Sequence, residues 1–250
     1  MKIRLDQLVV DRGLAPSRER ARALILAGDV SVDGHPTAKA GTAVATEATV
    51  TVRTPDHPWV GRGGLKLVGA LDAFGLDPTG LIALDIGAST GGFTHVLLAR
   101  GATRVVALDV GHNQLDWKIR TDPRVHVIEG LNARYLTPDQ LPDDLRLFDL
   151  VTIDVSFISL RHILPVVPAL LTTGGHVVAL VKPQFEAGRT DVGKGGIVRD
   201  PHIHQRVIDD VVEAARQVGL SRKDLAPSPI TGAEGNIEFL LHLCPSPVSV

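Results

Sequence analysis

LAPSPITGAEGNIEFLLHLC, residues 225–244, holds two apolar runs, near 225–230 and 237–243, joined by TGAEGN. A helical crossover needs about a dozen residues or more, so these runs are predicted to pair as an antiparallel hairpin. The chain before them keeps a different rhythm. Strand-like apolar runs fall at 81–86, 104–110, 125–128, 150–155 and 176–181, with helical stretches such as 92–100 and 201–218 between several of them. Strand and helix in alternation dictate a parallel sheet covered on both faces. Five parallel strands closed by a reversed hairpin depart from a plain dinucleotide-binding sheet at that last step.

That strand plan is the one AdoMet-dependent methyltransferases use. The body, residues 65–250, is therefore expected to be an α/β, Rossmann-like methyltransferase sheet with a C-terminal antiparallel hairpin. Residues 1–53 read as a small α+β unit. RLDQLVVDRG puts Leu5, Leu8 and Val9 on one helical face with Gly13 as a stop. Ser17 then caps SRERARALILAG, which Gly28 ends, and the segments DVSVDG and TVTVR alternate around Asp33-Gly34. TPDHPWVGRGG, residues 54–64, carries two prolines and three glycines and is expected as the linker.

Composition sets outer bounds. A hydrophobic fraction of 44% with 22% charged residues belongs to an ordinary globular protein, and a net charge of −2 is no argument for nucleic acid. The average conceals an asymmetry: ten Lys/Arg stand against seven Asp/Glu through Lys66 (+3), and sixteen against twenty-one beyond it (−5). A basic amino-terminal piece suits a polyanionic partner, ordinary surface scatter being the alternative. The single cysteine, Cys244, excludes internal disulfides and any multi-cysteine zinc site and fits a reducing compartment. MKIRLDQLVVDRG has charges where a signal peptide needs an apolar core, and no apolar run would span a bilayer. A cytoplasmic protein with no membrane partner is expected. His202 and His204 are expected to face solvent at a helix start, so no metal site is expected.

LIALDIGASTGGFT, residues 81–94, is an apolar strand entering a glycine-rich turn and then a helix. Gly87 permits the tight turn, Gly91 and Gly92 let a ligand approach the helix start, and Ser89 and Phe93 belong to the same stretch. The pattern is neither G-x-G-x-x-G nor a P-loop. Asp85 precedes the turn, where an acid repels phosphate but suits a cofactor with an amino group and a sulfonium. Asp109 ends the second strand, where folds of this plan hold a ribose diol; a solvated strand-end carboxylate is the alternative. Asn132, after the third strand, is placed for the adenine edge or simply for a turn. Together the set favours AdoMet.

Asp154 ends the fourth strand in VTIDVSF and Lys182 the fifth in HVVALVKPQFEAGR. Ligands of open parallel sheets bind outside the carboxyl ends of strands, so the two should face one crevice. Glu238 starts the reversed last strand at the same edge, and Lys66 lies on the first helix of the body. A hydroxyl nucleophile must lose its proton as it attacks a methyl group. A desolvated lysine beside a second cation is suited to take it, while neighbouring carboxylates oppose that and fix its position; the sequence leaves both influences in play. A lysine snorkelling to water is the bland alternative. An RNA cytosine-C5 methyltransferase needs a crevice cysteine, and Cys244 sits towards the far end of the last strand. DVSF stands where exocyclic-amine enzymes carry Asp/Asn-Pro-Pro-aromatic, so a hydroxyl target fits best.

RLDQLVVDRGLAPSRERARALILAGDVSVDG resembles the S4 RNA-binding domain. That resemblance makes Arg4, Arg12, Arg18, Arg20 and Arg22 candidates for RNA contact. DIGASTGGFT, DVSFISL, VKPQFEAGR and GNIEF resemble the methyltransferase body of the TlyA (haemolysin A) family, related to FtsJ-type RNA ribose methyltransferases, and the likeness runs from about residue 3 to 244. It implies a catalytic tetrad at Lys66, Asp154, Lys182 and Glu238, with AdoMet as cofactor. The implied reaction is 2′-O-methylation of cytidine in 16S or 23S ribosomal RNA, on ribosomal subunits (30S, 50S or both). The short stretch after the last strand leans towards the large-subunit type. VGKGGIVRD, 192–200, resembles the family's loop, and Lys194 would help it cover the RNA strand. Two rival readings are a membrane-lysing haemolysin and a non-catalytic RNA-binding assembly factor.

Overall fold

The central strands of the carboxy-terminal part are apolar on both faces, because they are buried on both. The computed structural model describes residues 2–247 except 16, 27, 38, 53–56, 189 and 233–234. It divides into two compact units, Met1–Pro58 and Trp59–Val250. Residues 54–56 of the expected linker lie outside the described residues; Trp59 and Val60 pack against the core of the second unit.

The first unit contains β1 (Lys2–Arg4), α1 (Leu5–Asp11), α2 (Arg18–Leu26), β2 (Val30–Val32), β3 (His35–Pro36), β4 (Ala43–Ala45) and β5 (Val50–Val52). Strand β1 pairs antiparallel with β4, and β2 pairs antiparallel with both β3 and β5. Leu5, Leu8 and Val9 of α1 meet Ala21 and Ile25 of α2 in a small core closed by Val30, Val44 and Val50. Gly13 and Gly28 take positive φ after the two helices, and the Arg20 amide donates to Ser17 Oγ at 3.2 Å.

The second unit begins with α3 (Gly63–Phe74), then β6 (Ile82–Ile86), α4 (Gly92–Ala99), β7 (Arg104–Asp109), α5 (Trp117–Arg120) and β8 (Val125–Glu129). It continues with β9 (Phe148–Ile153), β10 (Leu171–Val181), α6 (Pro183–Glu186), α7 (Pro201–Gln217), β11 (Leu220–Pro227) and β12 (Phe239–Pro245). The seven strands lie in the order β11-β12-β10-β9-β6-β7-β8, and β12 alone runs against the rest. Alternate residues feed two cores. Leu84, Ile86, Val106, Leu108, Val151 and Ile153 face α7 and three 3-10 turns between 160 and 170; Ala83, Val105, Ala107, Leu150, Val178 and Leu180 face α3 and α4. Among the described residues no helix is long and apolar enough to cross a membrane.

The hairpin forms, with shifted bounds. Its first strand occupies 220–227 rather than 225–230, and its second 239–245 rather than 237–243. Ser221–Asp224 is polar because β11 is an edge strand with one flank in water, where charge also discourages edge-to-edge pairing. His204 departs from expectation: it is buried, its Nε2 lies 2.9 Å from the Val198 carbonyl, and its ring packs edge-on against Phe239. His202 is exposed as expected.

Candidate active site

The turn between β6 and α4 is built by what its glycines leave out. Gly87 has φ +86°, and a Cβ there would stand 2.5 Å from the Asp154 carbonyl oxygen. Gly91 has φ +92°, and its missing side chain makes room for Leu115 and Ile119. At Gly92 a Cβ would press on the Gly64 amide and the Gly61 carbonyl. Protein packing thus requires glycine at 91 and 92, and Gly92 also lines the smaller cavity described below. Gly87→Ala places a left-handed Cβ against backbone that cannot rotate away. AdoMet affinity of that variant, measured by calorimetry, is expected to fall by more than about tenfold through collapse of the turn.

Ser89 also adopts a positive φ of 47°. Its amide donates to one oxygen of Asp109 at 2.8 Å, while the Gly111 amide donates to the other at 2.7 Å. Asp109 is therefore fixed at the end of β7 with lone pairs left for further donors. Asn132 caps the turn at 133–135 by accepting from the Arg134 amide, which is its turn-forming role, and it also borders the cavity described below.

Asp85 is not where a cofactor would meet it. It has no exposed surface, and its two oxygens accept from Thr94 Oγ1 at 2.7 Å and Thr152 Oγ1 at 2.9 Å. Burial raises its carboxyl to about 6, against the opposing pull of the two threonine hydroxyls. The folded chain thus holds this proton more tightly than the unfolded chain does. The resulting stability is full below about pH 4 and is lost as pH rises through about 6. Asp85→Asn is expected to remove that decline, seen as a difference of about 3 kcal/mol between the two proteins' denaturation free energies across the window.

Asp154, just past β9, and Lys182, just past β10, meet as an ion pair of 2.6 Å, and Lys182 Nζ also donates to Ser156 Oγ at 2.9 Å. Lys66 on α3 pairs with Glu238, just before β12, at 2.6 Å. The antiparallel register sets Val181 opposite Phe239, which is why Glu238 reaches the same edge as Lys182. Lys66, Lys182 and Glu238 are all buried. Two ion pairs therefore stand at one sheet edge, drawn from four separate elements.

A cavity of about 210 Å³ is lined by Lys66, Asp154, Lys182, Ser156, Phe93 and the turn at 87–90. A second, of about 550 Å³, shares Gly87, Ser89, Asp154 and Ser156 with it and extends over Asp109, Asn132, Leu131, Ile158 and Ile163. The larger one has the size of a small-molecule site, with apolar walls and few polar groups. Its acid at Asp109 and its apolar faces suit a ribosyl adenine group. Its shared wall with the smaller cavity sets whatever it holds beside the two lysines. Among the described residues no group of three or more His, Cys, Asp or Glu is arranged to hold a metal ion.

Sequence reading missed Phe157. It is 92% exposed, has φ 65°, borders the larger cavity, and sets its ring 5.1 Å from that of Phe185, which lies 5.9 Å from Lys182 Nζ. An aromatic three residues past a strand-end acid, in a chain with 4% aromatics, was the available signal. Lys194 is exposed in a loop tied down by Asn236, whose side chain accepts from the Val198 amide and donates to the Gly196 carbonyl. In the first unit, Arg12 donates to the Ala48 and Thr46 carbonyls, and Arg4, Arg18 and Arg22 converge on Asp6. Arg20, on α2, is half-buried.

Family comparison agrees with this geometry. The model of the FtsJ-like methyltransferase matches residues 59–244, and that of the S4 domain matches residues 3–50. "Putative rRNA methyltransferase YqxC" of Bacillus subtilis is 50% identical over 242 residues, 97% of this chain and 85% of its own. "16S/23S rRNA (cytidine-2'-O)-methyltransferase TlyA" of Mycobacterium tuberculosis is 47% identical over 243 residues, 97% of this chain and 90% of its own. A solved structure described as "Putative hemolysin from Streptococcus thermophilus" superposes with a TM-score of 0.77 at 46% identity, covering 98% of this chain and 89% of that one. The chain belongs to the FtsJ-like methyltransferase family and carries an S4 domain ahead of its methyltransferase body.

Proposed function

We propose that this protein transfers a methyl group from AdoMet to the 2′-hydroxyl of a cytidine in ribosomal RNA, acting on ribosomal subunits. One observation carries the reading: Lys66, Asp154 and Lys182 line a small cavity that shares its wall with a larger one suited to the cofactor. The relatives named for rRNA methylation support the substrate class. In this reading residues 1–53 dock RNA by phosphate contacts through Arg4, Arg12, Arg18, Arg20 and Arg22, and residues 65–250 catalyse. Lys194 adds a further RNA contact from its loop.

Bound AdoMet supplies an electrophilic methyl group on a sulfonium. Asp109 receives ribose hydroxyls, and Asn132 borders the base. Lys182 first gives its ammonium proton to solvent and, as the neutral amine, takes the proton of the attacking hydroxyl, while Asp154 with Ser156 holds the lysine's position. Lys66 orients the hydroxyl from the other side, and Glu238 fixes Lys66. Phe157 and Phe185 offer stacking faces to a base drawn out of its helix. Most of the rate enhancement then comes from holding the reactants in line.

The deciding experiment is transfer of labelled methyl from AdoMet to purified 30S and 50S subunits from cells lacking this protein, followed by alkaline hydrolysis. A labelled, alkali-resistant dinucleotide is expected, and the subunit that yields it identifies the target. Lysis of erythrocytes without AdoMet, with no methyl transfer to either subunit, would favour the membrane reading instead.

A further inference from the structure

Asp6 has no exposed surface, yet three arginines share its carboxylate. Arg4 donates through Nε to Oδ1 at 3.0 Å and through Nη2 to Oδ2 at 2.9 Å. Arg18 Nη2 reaches Oδ2 at 3.3 Å, and Arg22 Nε stands 3.4 Å from the same oxygen. The Gln7 amide occupies Oδ1 as well. The cations come from β1 and from successive turns of α2, while the anion comes from the first turn of α1. Arg4 above all, and Arg18 after it, hold the Asp6 carboxyl down at about 2, so it stays ionised throughout the working range of pH.

Burying a carboxylate costs free energy that ion pairs in water do not recover. A purely structural crosslink would need one arginine. Here three converge, and their side chains remain 48%, 50% and 56% exposed. Three positive charges against one negative leave a surplus of two at the surface. Each guanidinium spends only some of its five donors on Asp6 and keeps the others for solvent or a ligand. Without the shared anion, like charges on adjacent helical turns would splay apart. With it, the planar forks are fixed in advance, and a fixed fork loses less entropy on meeting an oxyanion than a free one does.

We propose that Asp6 is a positioning residue for RNA, holding Arg4, Arg18 and Arg22 as a prearranged receptor for backbone phosphate. The inference rests on the RNA-docking reading of the first unit and adds a result opposite in sign to simple charge counting. Neutralising Asp6 makes the patch more positive, and electrostatics alone then predict tighter RNA binding with a steeper salt dependence. Loss of the prearranged forks predicts weaker binding.

The test measures affinity of the full chain for purified 50S and 30S subunits, assayed separately over a range of salt. Amide hydrogen exchange in residues 2–52 verifies that each variant is folded. Asp6→Asn is expected to bind about tenfold more weakly than the parent despite its added positive charge. Should that variant unfold, Arg18→Lys/Arg22→Lys decides: it keeps the charge, loses the forks, and is expected to bind about tenfold more weakly. Unchanged or tighter binding by a folded Asp6→Asn protein, or unchanged binding by the double lysine variant, overturns the role given to Asp6. Arg18→Glu/Arg22→Glu separates the two levels. If charge reversal leaves affinity intact, the RNA-docking reading of this unit fails as well; if reversal weakens binding while Asp6→Asn does not, only the positioning role fails.

Discussion

Lys182→Ala is expected to slow single-turnover methyl transfer by roughly 10²- to 10⁴-fold, the contribution of a well-placed general base, while AdoMet affinity stays within about twofold of the parent. The expectation comes from where the side chain is fixed. Lys182 follows a strand buried along its carboxyl half, retains 7% of its surface, and is held from two sides by Asp154 at 2.6 Å and Ser156 at 2.9 Å. A lysine only snorkelling to solvent would have neither partner, and its loss would alter activity little. Rapid-quench measurement of one turnover, with calorimetry for cofactor binding, separates the two. Equal turnover at saturating AdoMet would remove Lys182 from the chemistry and shift the base assignment to its neighbours. Ser156→Ala is a graded companion: it keeps the lysine and loses one of its two restraints, so a smaller loss is expected.

Glu238→Ala is expected to cost about 3–5 kcal/mol of stability, because it leaves a buried ammonium without its counter-ion. Lys66 and Glu238 have side chains exposed by only 10% and 2%, and their contact is 2.6 Å. Replacing both with apolar residues of similar volume, as in Lys66→Met/Glu238→Leu, is expected to recover most of that loss, since the desolvation penalty disappears with the charges. Activity should not return. Urea denaturation of the single and double variants tests the first statement, and methyl transfer tests the second. A double variant as unstable as Glu238→Ala would mean that shape, not charge, fixes residue 238. Gly232 gives that idea some purchase, because a Cβ at that position would overlap the Glu238 carboxylate.

The elements that were legible are those whose physics is local or repetitive. Ile82–Ile86 and its glycine turn could be read because a buried strand is apolar throughout and a left-handed turn requires Gly87. Asp154, Lys182 and Glu238 could be read because strand direction alone sends their backbones to one edge. What escaped depends on neighbours remote in the chain. Leu220–Pro227 hides as a strand because its edge position allows charged residues. Asp85 looks like a cofactor ligand until Thr94 and Thr152 are seen to occupy both its oxygens. His204 looks solvated on its helix until Phe239, on another strand, covers it. The basic residues of the first unit read as a diffuse patch, and nothing in their spacing reveals that three of them share Asp6. Phe157 carries its information in backbone conformation and exposure, neither of which a residue name conveys.

The reversal of β12 also has a consequence for how the enzyme is made. Because β12 slots between β11 and β10, the sheet cannot be completed in the order in which the chain is synthesised. Lys66 emerges from the ribosome near the start of the body, and its counter-ion emerges close to the end. Until that last segment arrives, the nascent body has an open strand edge at β10 and an ammonium with no partner. Contacts so distant in sequence form slowly. The closing strand therefore completes two things at once: a chain arrested before residue 238 has neither β12 in its sheet nor a partner for Lys66.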